Sequence, residues 1–194
     1  MKITFLAISL LTFTFVSSVT AFSQSSKPIG SADNGHLINA DCLPKEGVGY
    51  MQLFRDVDRI WGTMPLINMI QKAAAEMSQK YPNRDRLQVE EMSQKNGGHI
   101  DGHKSHTNGL EADIGYFKAD GVEHDPLKKN QYYADPMAVK GVVSANFDIE
   151  RNWELIKALH KHGNVQRIFI DSALKKVLCI YVKEKKSILQ TFKF

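Results

Sequence analysis

The sequence predicts an α+β domain with a central antiparallel sheet flanked by helices. Three observations carry that expectation. Apolar residues recur at helical spacing over 65–81, side chains alternate strictly over 110–117, and two more helical stretches follow Asp148 with a short strand-like run between them. No internal repeat is evident.

The first residues have a different character. Lys2 precedes an apolar run from Ile3 to Val16, and small residues end in Val19-Thr20-Ala21 before Phe22. A charged start, an apolar middle and a small-residue cleavage site form a secretory leader, expected at residues 1–21. Residues 3–22 could nearly span a bilayer, but their threonines and serines and the lack of a basic flank favour a removed leader. Roughly 170 residues remain, enough for one domain with a proper core. The formal net charge of +4 falls to +3 without Lys2. That is too mild for a nucleic-acid partner, and no basic-aromatic stripe appears.

Residues 22–36 are rich in Ser, Lys, Pro, Gly and Asn and are expected as an exposed linker, with the domain proper over 37–194. Leu37 to Tyr50 carries Pro44, Gly47 and Gly49 and reads as irregular or short-strand structure. Pro65 to Tyr81 is a helix, with Pro65 in its first turn, Ile67, Ile70, Ala74, Met77 and Tyr81 on one face, and Pro82-Asn83 as its stop. Leu87 to Met92 reads as a strand. Leu110 to Phe117 reads as another, with Glu111, Asp113, Gly115 and Phe117 on one side. The polar, Pro-containing stretch from Lys118 to Val143 is expected as loop.

Asp148 is placed to cap a second helix whose stripe is Ile149, Trp153, Ile156 and Leu159, and Gly163 stops it. Gln166 to Ile170 reads as a short strand. Ser172, as N-cap, opens a third helix to Glu184 with Leu174, Val177, Leu178 and Tyr181 inward. Ser187 to Phe194 begins a further apolar-periodic segment and reads as an element cut short. Cys42 and Cys179 could form one disulfide in an oxidising compartment, or Cys179 could be a small buried hydrophobe.

The chemistry concentrates in Gly97 to Phe117, GGHIDGHKSHTNGLEADIGYF, which carries His99, His103, His106 and Asp113. A hydrolytic zinc site uses three protein ligands and keeps a fourth position open. Six residues separate His106 from Asp113; Gly109 and the alternating tail argue against one helix carrying both. A turn near Asn108-Gly109 would bring an imidazole nitrogen and a hard carboxylate oxygen together, with His103 reaching the same cleft. Spacing alone also permits a solvated hairpin with scattered histidines.

These residues carry a resemblance. GHKSHTNGLEADI is similar to the G-H-x-S-H-x-x-G-x-x-x-D-I signature of the penicillin-insensitive murein endopeptidases, grouped with lysostaphin, D-Ala-D-Ala peptidases and Hedgehog-type zinc domains. It extends through NGHLINADCLP, YMQLFRDVDRIWGTMPLINMI, FDIERNWELIKAL and IFIDSALKK, nearly the whole chain after the leader. The resemblance implies a periplasmic zinc metallopeptidase that cleaves D-alanyl-meso-diaminopimelyl cross-links of peptidoglycan. It implies zinc as cofactor, His106 and Asp113 as its ligands, and His103 as an active-site histidine. Metal-based hydrolysis needs no serine nucleophile, which accounts for indifference to penicillin.

The family's third ligand comes from a C-terminal H-x-H on a strand, and no histidine follows His162 here. His160-Lys161-His162 has the spacing but sits at a helix end, where basic rings suit the dipole. The chain is therefore expected to lack its last strand or strands and third ligand, with activity reduced. A non-catalytic peptidoglycan-binding or remnant protein is the alternative. Elsewhere, Ser172-Ala173-Leu174-Lys175 has the S-x-x-K spacing without its partner motifs. His36 and His124 get no role, Asp56, Asp58 and Arg59 read as a solvated turn, and Trp61 and Trp153 as core.

Overall fold

A computed structural model describes residues 25–191. The expected leader lies outside the described residues. The chain is α+β, with antiparallel pairing divided among small sheets instead of gathered in one. Residues 27–30 are not linker: β1 (Lys27–Gly30) pairs antiparallel with β2 (Gly35–Ile38). The Ser, Asn and Gly content serves the tight turn between them, closed by the Ser31 N–H on the Asn34 carbonyl at 3.1 Å. The next pairing joins β3 (Asp41–Cys42) to β6 (Trp61–Gly62). A three-stranded sheet follows, in which β4 (Glu46–Gly47) pairs antiparallel with β5 (Tyr50–Gln52), and β5 runs parallel to β7 (Leu87–Val89).

Helix α1 (Met64–Lys80) carries Pro65 in its first turn, as its sequence requires, and buries Ile67, Ile70, Ala73, Ala74 and Met77. That face meets Leu87 and Val89 of β7 and Leu155, Ala158 and Leu159 of α3 (Ile149–His162) in the main core. Asp148 caps α3 by accepting from the Arg151 N–H at 3.0 Å. The expected stripe of α3 is only half of what it buries. Ile149, Trp153 and Ile156 face a second cluster around Leu174 and Leu178 of α4 (Ser172–Thr191). A helix held between two others needs two apolar stripes, and a single-stripe reading finds one.

Several expected elements differ. Over 118–143 the chain forms α2 (Lys129–Tyr133) and a hairpin of β8 (Ala138–Val139) and β9 (Val142–Val143), not loop alone. Residues 110–117 make ladder bonds to 88–91 and one bridge, Val89 with Ile114, without becoming a regular strand. Gln166–Ile170 forms no strand, leaving Phe169 79% exposed. Helix α4 extends through Thr191, absorbing part of the segment expected to be separate. Its cap is Asp171, whose carboxylate accepts from the Ala173 N–H at 2.7 Å, not Ser172. Cys42 and Cys179 are both exposed free thiols. No helix among the described residues is long and apolar enough to cross a membrane.

Candidate metal centre

The loop after β7 is fastened to the β1–β2 hairpin before it reaches the histidines. The Leu37 N–H donates to the Asn96 carbonyl at 3.0 Å, and the Gly98 N–H to the Thr107 carbonyl at 2.8 Å. The Thr107 hydroxyl in turn donates to the carbonyls of Ser31 and Ala32. Gly97 makes this closure possible: its φ is +68°, and a Cβ there would stand 2.2 Å from the Thr107 carbonyl oxygen. Gly97→Ala is therefore expected to lower stability by at least about 1–3 kcal/mol, read by urea unfolding, and to loosen the histidine loop.

His106 sits in left-handed backbone at φ +70°. An L-residue pays roughly 1–2 kcal/mol for that conformation, and the Glu111 carboxylate helps hold it by accepting the His106 N–H at 2.9 Å. Asp113 is fixed by the backbone opposite. Its N–H donates to the Glu91 carbonyl at 2.8 Å, and its carbonyl accepts from the Glu90 N–H at 2.9 Å. These constraints place His106 Nε2 3.3 Å from Asp113 Oδ1. The His103 ring meets His106 edge-on with centroids 5.2 Å apart. One ligand atom each of His103, His106 and Asp113 lie within 4.8 Å of one another.

Two nitrogens and a carboxylate oxygen form a donor set suited to zinc. The burial pattern agrees with a cation there. His106 is buried, yet its Nδ1 has no hydrogen-bond partner, while Asp113 is 47% exposed on its side chain and keeps the cluster open. Burial alone would pull the His106 imidazole down. The hydrogen bond and charge of Asp113, with Glu111 and Glu91 behind, outweigh it and hold His106 above the usual histidine range. The same field that draws a proton onto His106 favours a divalent cation in its place.

The structure brings in residues the sequence reading missed. Glu91 is buried, and its Oε2 accepts from His103 Nε2 at 2.6 Å. Arg59, expected on a solvated turn, instead donates to both Glu91 oxygens at 3.1 and 3.3 Å. Lys129 Nζ of α2 lies 3.5 Å from Glu91 Oε1. The only sequence signal was a Glu-Glu pair at the end of a strand, which equally suits solvent. Beside it, burial pushes the Glu90 carboxyl up to about 7, with Asp113 and Glu91 adding to that and a Tyr132 hydrogen bond opposing it. Tyr132 also lines a cavity of about 250 Å³ with Tyr116, Lys118, His124 and Met137.

Glu90 sets a pH dependence with a definite sign. Its folded-state pKa lies above the ordinary carboxyl value of 4.5, so the native state binds more protons between pH 4.5 and about 7. The stability held below 4.5 is lost as pH rises through about 7. In metal-free protein, Glu90→Gln is expected to raise the melting temperature at pH 8 and to change it far less at pH 4. Equal effects at both pH values would count against a buried, protonated Glu90.

The remaining candidates lie elsewhere. His99 is 75% exposed and lies beside Asp101. His160 Nδ1 contacts the Ile156 carbonyl at 2.9 Å, and His162 Nε2 lies 2.7 Å from Glu76 of α1. That H-x-H is engaged at a helix end and is not part of the cluster. His124 Nδ1 meets Gln88 Oε1 at 3.0 Å, and Asp58 accepts from the Trp61 indole N–H at 2.8 Å.

Comparison with known proteins bears on this geometry. The family model described as penicillin-insensitive murein endopeptidase matches residues 28–193. Curated relatives of that name include one from Haemophilus influenzae, 30% identical over 158 residues, covering 78% of this chain and 53% of the relative. One from Yersinia pestis is 30% identical over 184 residues, covering 89% and 66% respectively. One from Escherichia coli is 30% identical over 159 residues, covering 80% and 57%. The chain thus spans between about half and two thirds of these relatives' length. With a match running from β1 through α4 and across the His103, His106 and Asp113 cluster, the chain belongs to the penicillin-insensitive murein endopeptidase family.

Proposed function

We propose that this chain is a zinc-dependent peptidase domain that cleaves D-alanyl-meso-diaminopimelyl cross-links of peptidoglycan in the periplasm, after removal of a leader at residues 1–21. The observation that carries the reading is the convergence of His103, His106 and Asp113 within 4.8 Å on a loop fastened at both ends. His106 and Asp113 are the residues to hold the metal, and the orphaned Nδ1 of buried His106 supports that role. Zinc, when bound, polarises an amide carbonyl and activates a water near neutral pH. His103 stands beside the ligands to exchange a proton with the reacting groups. The neighbouring cavity, lined by Lys118, His124, Asp135 and Asp171 among others, offers room for a peptide with charges of both signs.

A second reading, a non-catalytic peptidoglycan-binding domain, has its own support. With His103 Nε2 engaged by Glu91, His106 and Asp113 remain as the two ligands, and two ligands hold zinc weakly. One experiment separates the two. The full chain is purified, its zinc is counted by mass spectrometry, and it is incubated with cross-linked muropeptide dimers resolved by chromatography. Bound zinc with conversion of dimers to monomers, stopped by a chelator, supports the peptidase. Sedimentation with sacculi but intact dimers at saturating zinc sinks it and supports the second reading.

A further inference from the structure

We propose that Glu91 is the positioning residue of the site: its carboxylate fixes the ring form of His103 while its backbone carbonyl fixes Asp113. This rests on the peptidase reading for its kinetic consequence, but not for its structural content. Glu91 is 5% exposed and reaches three donors at once, His103 Nε2 at 2.6 Å, Arg59 Nη1 at 3.1 Å and Lys129 Nζ at 3.5 Å. Its carbonyl takes the Asp113 N–H at 2.8 Å. A single residue therefore ties together both sides of the cluster, one through its side chain and one through its main chain.

The chemistry follows from what each group can donate. An ionised carboxylate only accepts, as arginine and lysine only donate. Facing Glu91 Oε2, His103 Nε2 must carry a hydrogen, so in the neutral ring the lone pair sits on Nδ1. That leaves Nδ1 free to accept a proton. Arg59, from the segment before β6, and Lys129, from α2, donate to the carboxylate and hold it in place, so His103 does not select its own orientation. The residue beside it, Glu90, does not do this: its backbone contacts Asp113, and its carboxyl pairs with Tyr132.

Glu91→Gln is the informative change because an amide can offer either an oxygen or an NH₂. Arg59 and Lys129 still require an acceptor and claim the oxygen, which turns the NH₂ toward His103. The neutral ring must then accept at Nε2 and carry its hydrogen on Nδ1. The test is imidazole ¹⁵N NMR of the metal-free full chain, with the His103 signals assigned by His103→Gln. The expected result is a neutral His103 protonated at Nε2 in the wild type and in Glu91→Asp, and at Nδ1 in Glu91→Gln. If Glu91→Gln fails to fold, the wild-type spectrum decides, since a neutral His103 protonated at Nδ1 there overturns the proposal. So does a His103 ring form shared by wild type and folded Glu91→Gln. On muropeptide dimers, Glu91→Gln is expected to lower kcat about 10–100-fold with KM within about twofold, and Glu91→Asp to recover part of it. A ring-form change in a chain whose wild type cleaves nothing would sink the peptidase reading and leave the positioning role standing.

Discussion

Replacing His106 by alanine is expected to remove both zinc binding and murein cleavage. Changes to groups that merely hold a ligand in place cost metalloproteins about 10–100-fold in affinity or activity, and deleting a ligand costs more. Only Asp113 and the Glu91-bound His103 would remain in the cluster. Because His106 also occupies left-handed backbone at φ +70°, alanine mixes two effects. His106→Asn separates them, since asparagine tolerates that conformation. The asparagine variant should unfold in urea close to the wild type yet retain no stoichiometric zinc by mass spectrometry. Zinc retained at wild-type stoichiometry in both variants would remove His106 from the ligand set.

The second large effect lies at the root of the site's scaffold. The Arg151 side chain on α3 is 4% exposed and pairs with Asp85, itself 6% exposed, just before β7. Its guanidinium also donates to the Asp85 carbonyl at 3.1 Å and lies 4.1 Å above the Phe117 ring. Next to it, Asn152 accepts from the Phe117 N–H at 3.0 Å and donates to the Phe117 carbonyl at 2.8 Å. Helix α3 thereby anchors the end of the segment that carries Asp113. Asp85→Ala would leave the buried guanidinium with only the longer 3.8 Å contact to Asp148 as counter-charge, at an expected cost of about 3 kcal/mol, the lower end for a broken buried pair. Against a total of about 5–15 kcal/mol for a domain, that threatens folding at 37 °C. Asp85→Ala with Arg151→Met should lose less than Asp85→Ala alone, because the uncompensated charge goes with it. Urea unfolding of the three variants checks both the size and the order. A loss of under about 1 kcal/mol in Asp85→Ala would show that the pair is as dispensable as a surface one.

What could be read in advance, and what could not, divides along particular residues. Helices α1 and α3 were legible because Pro65, Asp148 and Gly163 mark their ends and their apolar spacing is local. His106 and Asp113 stood out as candidates because their side-chain chemistry and motif spacing are sequence properties, and the structure brings them together with His103. The expected strand over 110–117 became extended chain with a single bridge, since regular pairing depends on what the neighbouring segment offers. Gln166–Ile170 has strand-like composition, but no segment among the described residues pairs with it.

Glu91 shows the limit most plainly. In the sequence it is half of a Glu-Glu pair, and charge pairs usually face water. Its role comes from Arg59, 32 residues before it, and from His103 and Lys129 after it, all brought together only when the chain closes. The sequence by itself determined the α+β class, helices α1 and α3 and the donors that suit a metal, because periodicity and ligand chemistry are written in neighbouring residues. Tertiary structure alone decided that His160 turns to a helix carbonyl and His162 to Glu76, that His106 is left with a bare nitrogen, and that a carboxylate stands behind His103. Which polar group a side chain faces is settled by contacts distant in sequence, and in a buried site that partner sets both its proton and its orientation.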